Sequence, residues 1–199
     1  PSGHTLGPAA RYQRARMLLA LGRRDEAIAQ LKSIERTYPR DTNTAWALWL
    51  RADLATDARA DSTARALWLQ LANHFPSWRL ANQAKFNAAL ISFLYEDYAE
   101  AIREFDALAP QLATNAGYYW LGRAHEARGD SAAAAEIWHG LLARDSTSYY
   151  AALTGRRLNI HPMLHWVNLT PVSYPSVPAV DSAMRRISLL QSIGMRFES

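Results

Sequence analysis

Two histidines, His161 and His165, stand four residues apart, the spacing that puts two metal ligands on one face of a helix. Pro162 lies between them in a proline-rich stretch and no H-E-x-x-H pattern accompanies them, so ordinary loop histidines are expected rather than a metal site. The adjacent carboxylates Asp25-Glu26 and Glu96-Asp97 fall where helices are expected to begin, and the positive end of the helix dipole accounts for them there. Glu198-Ser199 is a pair of the kind some glycan-cleaving enzymes use, but no motif surrounds it. The nine glycines are scattered, so no loop cradles a phosphate, and no G-x-S-x-G elbow occurs. Without cysteine there is no disulfide, thiolate metal site or cysteine nucleophile. His74, His125 and His139 sit at helix ends or on helix faces, where capping or surface roles suffice. Neither a catalytic residue nor a cofactor is expected in this chain.

What remains is a concentration of aromatic rings and arginines late in the chain. Tyr118, Trp120 and Arg123 open one expected helix, while Tyr149, Tyr150, Arg156 and Arg157 lie on a later one stacked against its partner. One reading is packing between hairpins, with arginine stems covering aromatic faces. The other is an aromatic and guanidinium surface for a glycan or a partner domain, since Tyr and Trp are apolar bodies with a polar tip.

The elements that carry these residues repeat. Ala27, Ala64, Ala101 and Ala134 recur at spacings of 37, 37 and 33, and Ala15, Ala52, Ala89 and Gly122 each lie twelve residues earlier. Four residues after each alanine comes Leu31, Trp68, Phe105 or Trp138, and seven after it comes Ile34, Leu71, Leu108 or Leu141. Antiparallel helices approach closely only where both present a small side chain, and the large residues one turn apart fill the groove beside that contact. A further column, Tyr12, Trp49, Phe86 and Tyr119, supplies an aromatic wedge between neighbouring hairpins.

The turns agree. Gly22 and Gly129 fall five residues before the alanine, where a helix must end in a left-handed residue. Asp61 and Asp130 are expected N-caps, with Asp25 and Asp97 in or near first turns, and Ser148 or Thr147 caps a ninth helix. First helices are expected near 8–22, 42–57, 78–95 and 115–128, their partners near 24–37, 61–74, 98–109 and 131–144, and a last helix at 146–157. Residues 159–180, with Pro162, Pro171, Pro175 and Pro178, read as an extended connection. Asp181 is expected to cap a renewed helix over 181–199. The fold class is therefore all-α: a superhelical stack of antiparallel hairpins over 1–158, resembling the tetratricopeptide pattern, because one hairpin cannot bury its apolar face alone.

Totals narrow the function classes. Of the residues, 49% are hydrophobic and β-branched types are scarce, which suits a globular helical chain. No apolar run reaches the length of a membrane span. The net charge of +4 gathers at the ends, without the continuous basic face of a nucleic-acid binder. The chain opens Pro1-Ser2-Gly3-His4, with neither an initiator Met nor an apolar leader, as a processed fragment would.

The run YYWLGRAHEARGD, followed by AAEIWHGLL and SYYAALTGRRL, resembles the end of the superhelical domain of soluble lytic murein transglycosylases. Trp120, Arg123, Gly129, Asp130, Tyr149, Tyr150, Arg157 and Leu158 match in order, as do Tyr38-Pro39, Phe75-Pro76 and Asp97-Tyr98 earlier. AMRRISLLQSIGM resembles the opening of that family's helical linker domain. The resemblance implies a periplasmic protein whose helical ring positions peptidoglycan glycan strands. Beside the ring, a lysozyme-like domain would cleave the MurNAc-GlcNAc β-1,4 bond to a 1,6-anhydro product. That domain would follow the linker, so no catalytic residue is carried over, and the chain reads as a non-catalytic module that docks it, with other cell-wall proteins as further partners. The alternative is a protein-interaction scaffold gripping a peptide in its concave groove, for which Asn82, Lys85 and Asn87 hint at a polar inner face. A third reading, an outer-membrane assembly factor of similar repeats, is disfavoured by the Y-W-L-x-R-A signature.

Overall fold

The structure, a computed structural model, describes residues 7–112, 114–160, 177–182 and 184–185. His161, His165, Glu198 and most of the expected linker helix lie outside the described residues. The chain divides into two compact units, Pro1–Met163 and Leu164–Ser199. Within the first, the described helices are α1 (Pro8–Ala20), α2 (Arg24–Thr37), α3 (Thr42–Asp57), α4 (Asp61–His74), α5 (Ala81–Leu94), α6 (Tyr98–Leu108), α7 (Ala116–Ala127), α8 (Ser131–Arg144) and α9 (Tyr149–Leu158). A 3-10 turn, Ala109–Gln111, joins α6 to α7.

The repeated columns form the core. All sixteen residues of the two small and two large columns are buried. The contact that decides the approach of α7 to α8 is Gly122 against Trp138: a Cβ on Gly122 would stand 2.2 Å from the indole Nε1. That Nε1 donates to the carbonyl of Tyr119 at 3.2 Å, so the one polar atom of the buried ring is satisfied. Gly117 serves a similar purpose one turn earlier, since its Cβ would lie 2.6 Å from Ala109 Cα in the 3-10 turn. Hairpin packs on hairpin: α2 on α3, α4 on α5, α6 on α7 and α8 on α9. Two pairs of first helices also meet directly, α1 with α3 and α7 with α9.

The first helices end alike. Gly22 and Gly129 have φ of 75° and 93°, and Arg59 and Glu96 hold the same place with φ of 55° and 63°. In each turn the next amide reaches back five residues, as Arg23 N–H to Leu18, Ala60 to Ala55, Asp97 to Ser92 and Asp130 to His125. The capping pattern is richer than expected and partly different. Asp41, Asp97, Asp130 and Ser148 cap α3, α6, α8 and α9. Asp61 does not cap α4: it is the helix's first residue, and its carboxylate accepts from the Tyr95 hydroxyl at 3.0 Å. Thr147 does not cap α9; its amide and hydroxyl both donate to Asp145. In the second unit residues 178–182 are helical, with Pro178 in the first turn where its missing N–H costs nothing, and Asp181 lies inside this helix rather than capping it.

Candidate functional site

The late aromatic run divides on folding. Trp120 is half-buried against Phe93 (centroids 5.3 Å) and Phe105 (6.4 Å), which places it between the third and fourth hairpins. Arg123 lies over the rings of Phe93 and Trp120, both at 5.8 Å, and its Nη1 donates to the Tyr119 hydroxyl. Tyr150 packs on Tyr119 at 5.6 Å, and burial, followed by the neighbouring Tyr149 and Tyr119, raises its phenol above the usual range. Arg157 reaches Glu126 at 3.1 Å and ties α9 to α7. Tyr118 is half-buried and roofed by the guanidinium of Arg144 at 4.1 Å. These residues have packing to explain them. Tyr149 and Arg156 remain exposed on α9.

A second aromatic site lies on the early helices α1 and α3, where the aromatic column was expected only to pack. Between α1 and α3 lies an open groove of about 540 Å³ lined by Tyr12, Gln13, Arg16, Asn43, Trp46, Trp49, Leu50 and Asp53. Trp46, Trp49 and Asp53 follow the i, i+3, i+7 spacing of one helix face, which was the available signal. Trp49 is held edge-on by Trp68 of its own hairpin at 4.7 Å and by Trp78, in the loop leading to α5, at 5.8 Å. Trp46 meets Trp78 at 5.0 Å and carries Arg79 over its ring at 5.2 Å. Burial raises the Tyr12 phenol, opposed by the charge of Arg16. The Asp53 carboxyl is also raised, first by desolvation and then by Asp57 one turn along.

The polar residues of α5 do not make an inner clamp. Asn82 donates to the Gln111 carbonyl at 3.4 Å, Asn87 accepts from Gln83, and Lys85 lines a cleft with Leu69, Glu104 and Gln111 between α4, α5 and α6. Nearby, Arg65 spans Ser92 Oγ at 3.0 Å and Glu104 at 2.6 Å, a network that fastens α4 to α5 and α6. Among the described residues no cluster of His, Asp and Glu is arranged to hold a metal. No described helix is long and apolar enough to cross a membrane.

A stack of hairpins closed by small-residue contacts defines a helical repeat array. The model of the tetratricopeptide repeat family matches residues 9–41 and 116–148, the first and fourth hairpins. The chain therefore carries tetratricopeptide repeats in a tetratricopeptide-like superhelix. Among solved structures, MamA (residues 41 to the end) from Desulfovibrio magneticus RS-1 is 16% identical, with 96% of this chain and 99% of that chain covered and a TM-score of 0.58. A putative kinesin light chain of Podosopora anserina with nearly identical TPR-like repeats is 13% identical, with 95% and 98% covered and a TM-score of 0.58. At such identities the likeness concerns the fold alone. No curated protein matches the chain.

Proposed function

We propose that this chain is a protein-interaction scaffold that holds an extended segment of a partner along its first helices. The observation that carries this reading is the groove between α1 and α3, where half-buried aromatic rings stand beside amide and charged groups, including Asp53, which is unpaired among the described residues. Aromatic area supplies binding energy at low entropic cost, and the amides of Gln13 and Asn43 suit a peptide backbone. Selection of random linear peptides on the immobilised chain tests it. Peptides should be recovered whose affinity falls about tenfold or more in Trp46→Ala, as for an aromatic anchor at the centre of an interface. Failure to enrich any peptide over an unrelated helical protein sinks the reading.

A second reading is supported by the run from Tyr118 to Leu158, whose residues resemble the superhelical domain of lytic murein transglycosylases. On that reading the array is a periplasmic, non-catalytic module that positions peptidoglycan, and Tyr149 and Arg156 are the exposed part of its glycan face. Co-sedimentation with purified sacculi tests it, and a pelleted fraction no larger than that of a control protein counts against it.

A further inference from the structure

Resting on the scaffold reading, we propose that the groove between α1 and α3 receives a basic side chain of the partner, its stem across Tyr12 and Trp49 and its charge at Asp53. Asp53 is exposed in the groove and, among the described residues, has neither a hydrogen bond nor an ion pair. Asp57, one turn along the same helix, is equally unpaired and exposed. Both occupy the last turns of α3, where like charges four residues apart repel and the helix dipole disfavours acids. Two local preferences are violated together, and no described side chain is bonded to either carboxylate. Many other acids of the chain have partners: Glu35, Glu104 and Glu126 meet arginines, and Asp41, Asp97 and Asp130 cap helices. An arriving cation relieves the repulsion between Asp53 and Asp57 and satisfies a carboxylate already partly stripped of water.

The rings beside Asp53 suit the stem and head of such a side chain. Trp46 already seats one guanidinium, that of Arg79, and Trp49 stands one turn nearer to Asp53 on the same helix. Arg16, on the α1 wall, is turned to Gln13 Oε1 at 3.4 Å and makes no ion pair with Asp53. Its charge keeps a second cation off α1 and directs it to the α3 wall. An acidic segment would instead have to pass both unpaired aspartates.

The peptides selected on the chain decide the matter. They should share a Lys or Arg at one position, and Asp53→Asn should weaken the best of them about fivefold, Asp53→Lys more. Asp53→Asn should leave the thermal midpoint unchanged or raise it, so weaker binding is not loss of fold. Selected peptides without a basic position, or with unchanged affinity for Asp53→Asn, overturn this inference while the scaffold reading stands. If no peptide is selected at all, the scaffold reading fails and the inference with it.

Discussion

Arg59 and Glu96 occupy left-handed backbone at φ of 55° and 63°, the place that Gly22 and Gly129 fill in the first and fourth hairpins. A side chain there crowds its own carbonyl, at a cost of about 1–2 kcal/mol, of which glycine's extra freedom in the unfolded chain returns roughly 0.5–1. Both side chains are exposed and make no hydrogen bond or ion pair among the described residues, so replacing them removes nothing else. Arg59→Gly and Glu96→Gly should therefore each stabilise the fold by roughly 0.5–1 kcal/mol, a rise of about 1–4 °C in thermal midpoint for a chain of this size. An unchanged or lower midpoint in both variants would show that the turn is held by something other than backbone preference. The two hairpins with these residues are also the two that the tetratricopeptide family model passes over. The left-handed positions were legible only where glycine marked them. At 59 and 96 the hydrogen-bonded turn overrode the local preference of Arg and Glu.

Helices in this array start in two ways, and pH separates them. Asp130 accepts the Ala133 amide at 3.2 Å, and Asp145 accepts the Thr147 and Ser148 amides at 3.0 and 3.1 Å in the loop that leads into α9. Those backbone bonds, the largest influence on each group, hold both carboxyls below the usual aspartate range. A carboxyl depressed in the folded state contributes stability above its unfolded pKa of about 4, and that contribution disappears as pH falls through the lower folded value. The thermal midpoint should therefore fall between pH 5 and pH 3, and Asp145→Asn should flatten part of that decline while costing little at pH 7, because an amide oxygen still accepts the same bonds. An acid limb identical to the wild type would remove Asp145 from the account. By contrast α1, α2, α4 and α5 begin without a side-chain cap, so their starts do not follow this titration. Helix positions and the buried columns were readable from periodicity because packing enforces them at every repeat. The caps were less so: Asp61 follows the same turn as Asp130 but begins one position later in its helix, and its partner is Tyr95, distant in sequence. The groove between α1 and α3 was missed for a related reason, since Tyr12 and Trp49 satisfy the packing column and line the cleft at once.

At the scale of the whole array, stability should follow neighbours. Each hairpin of the first unit packs on the next along the chain, so local free energies add in a line rather than around one centre. The middle is better covered than the ends: α5 buries seven residues, from Ala81 to Ser92, whereas α1 buries Ala15 and Leu18 and α9 buries Ala151, Thr154 and Gly155. Thr154 is enclosed with its hydroxyl lacking a hydrogen-bond partner, a further small cost at that end. Amide hydrogen exchange should be slowest in α3–α6 and fastest in α1 and α9, with a graded profile between them. The gradient bears directly on binding, because α1 supplies one wall of the groove with Tyr12, Gln13 and Arg16. A peptide selected on the chain can bind only when α1 is docked on α3, so saturation should slow exchange in α1 by at least as large a factor as in α3 and leave α9 unaffected. Uniform protection across the array would show one cooperative unit instead of a line of hairpins. Slowing at α9 rather than α1 would place the bound peptide at the late aromatic run, with Tyr149 and Arg156 as its contacts.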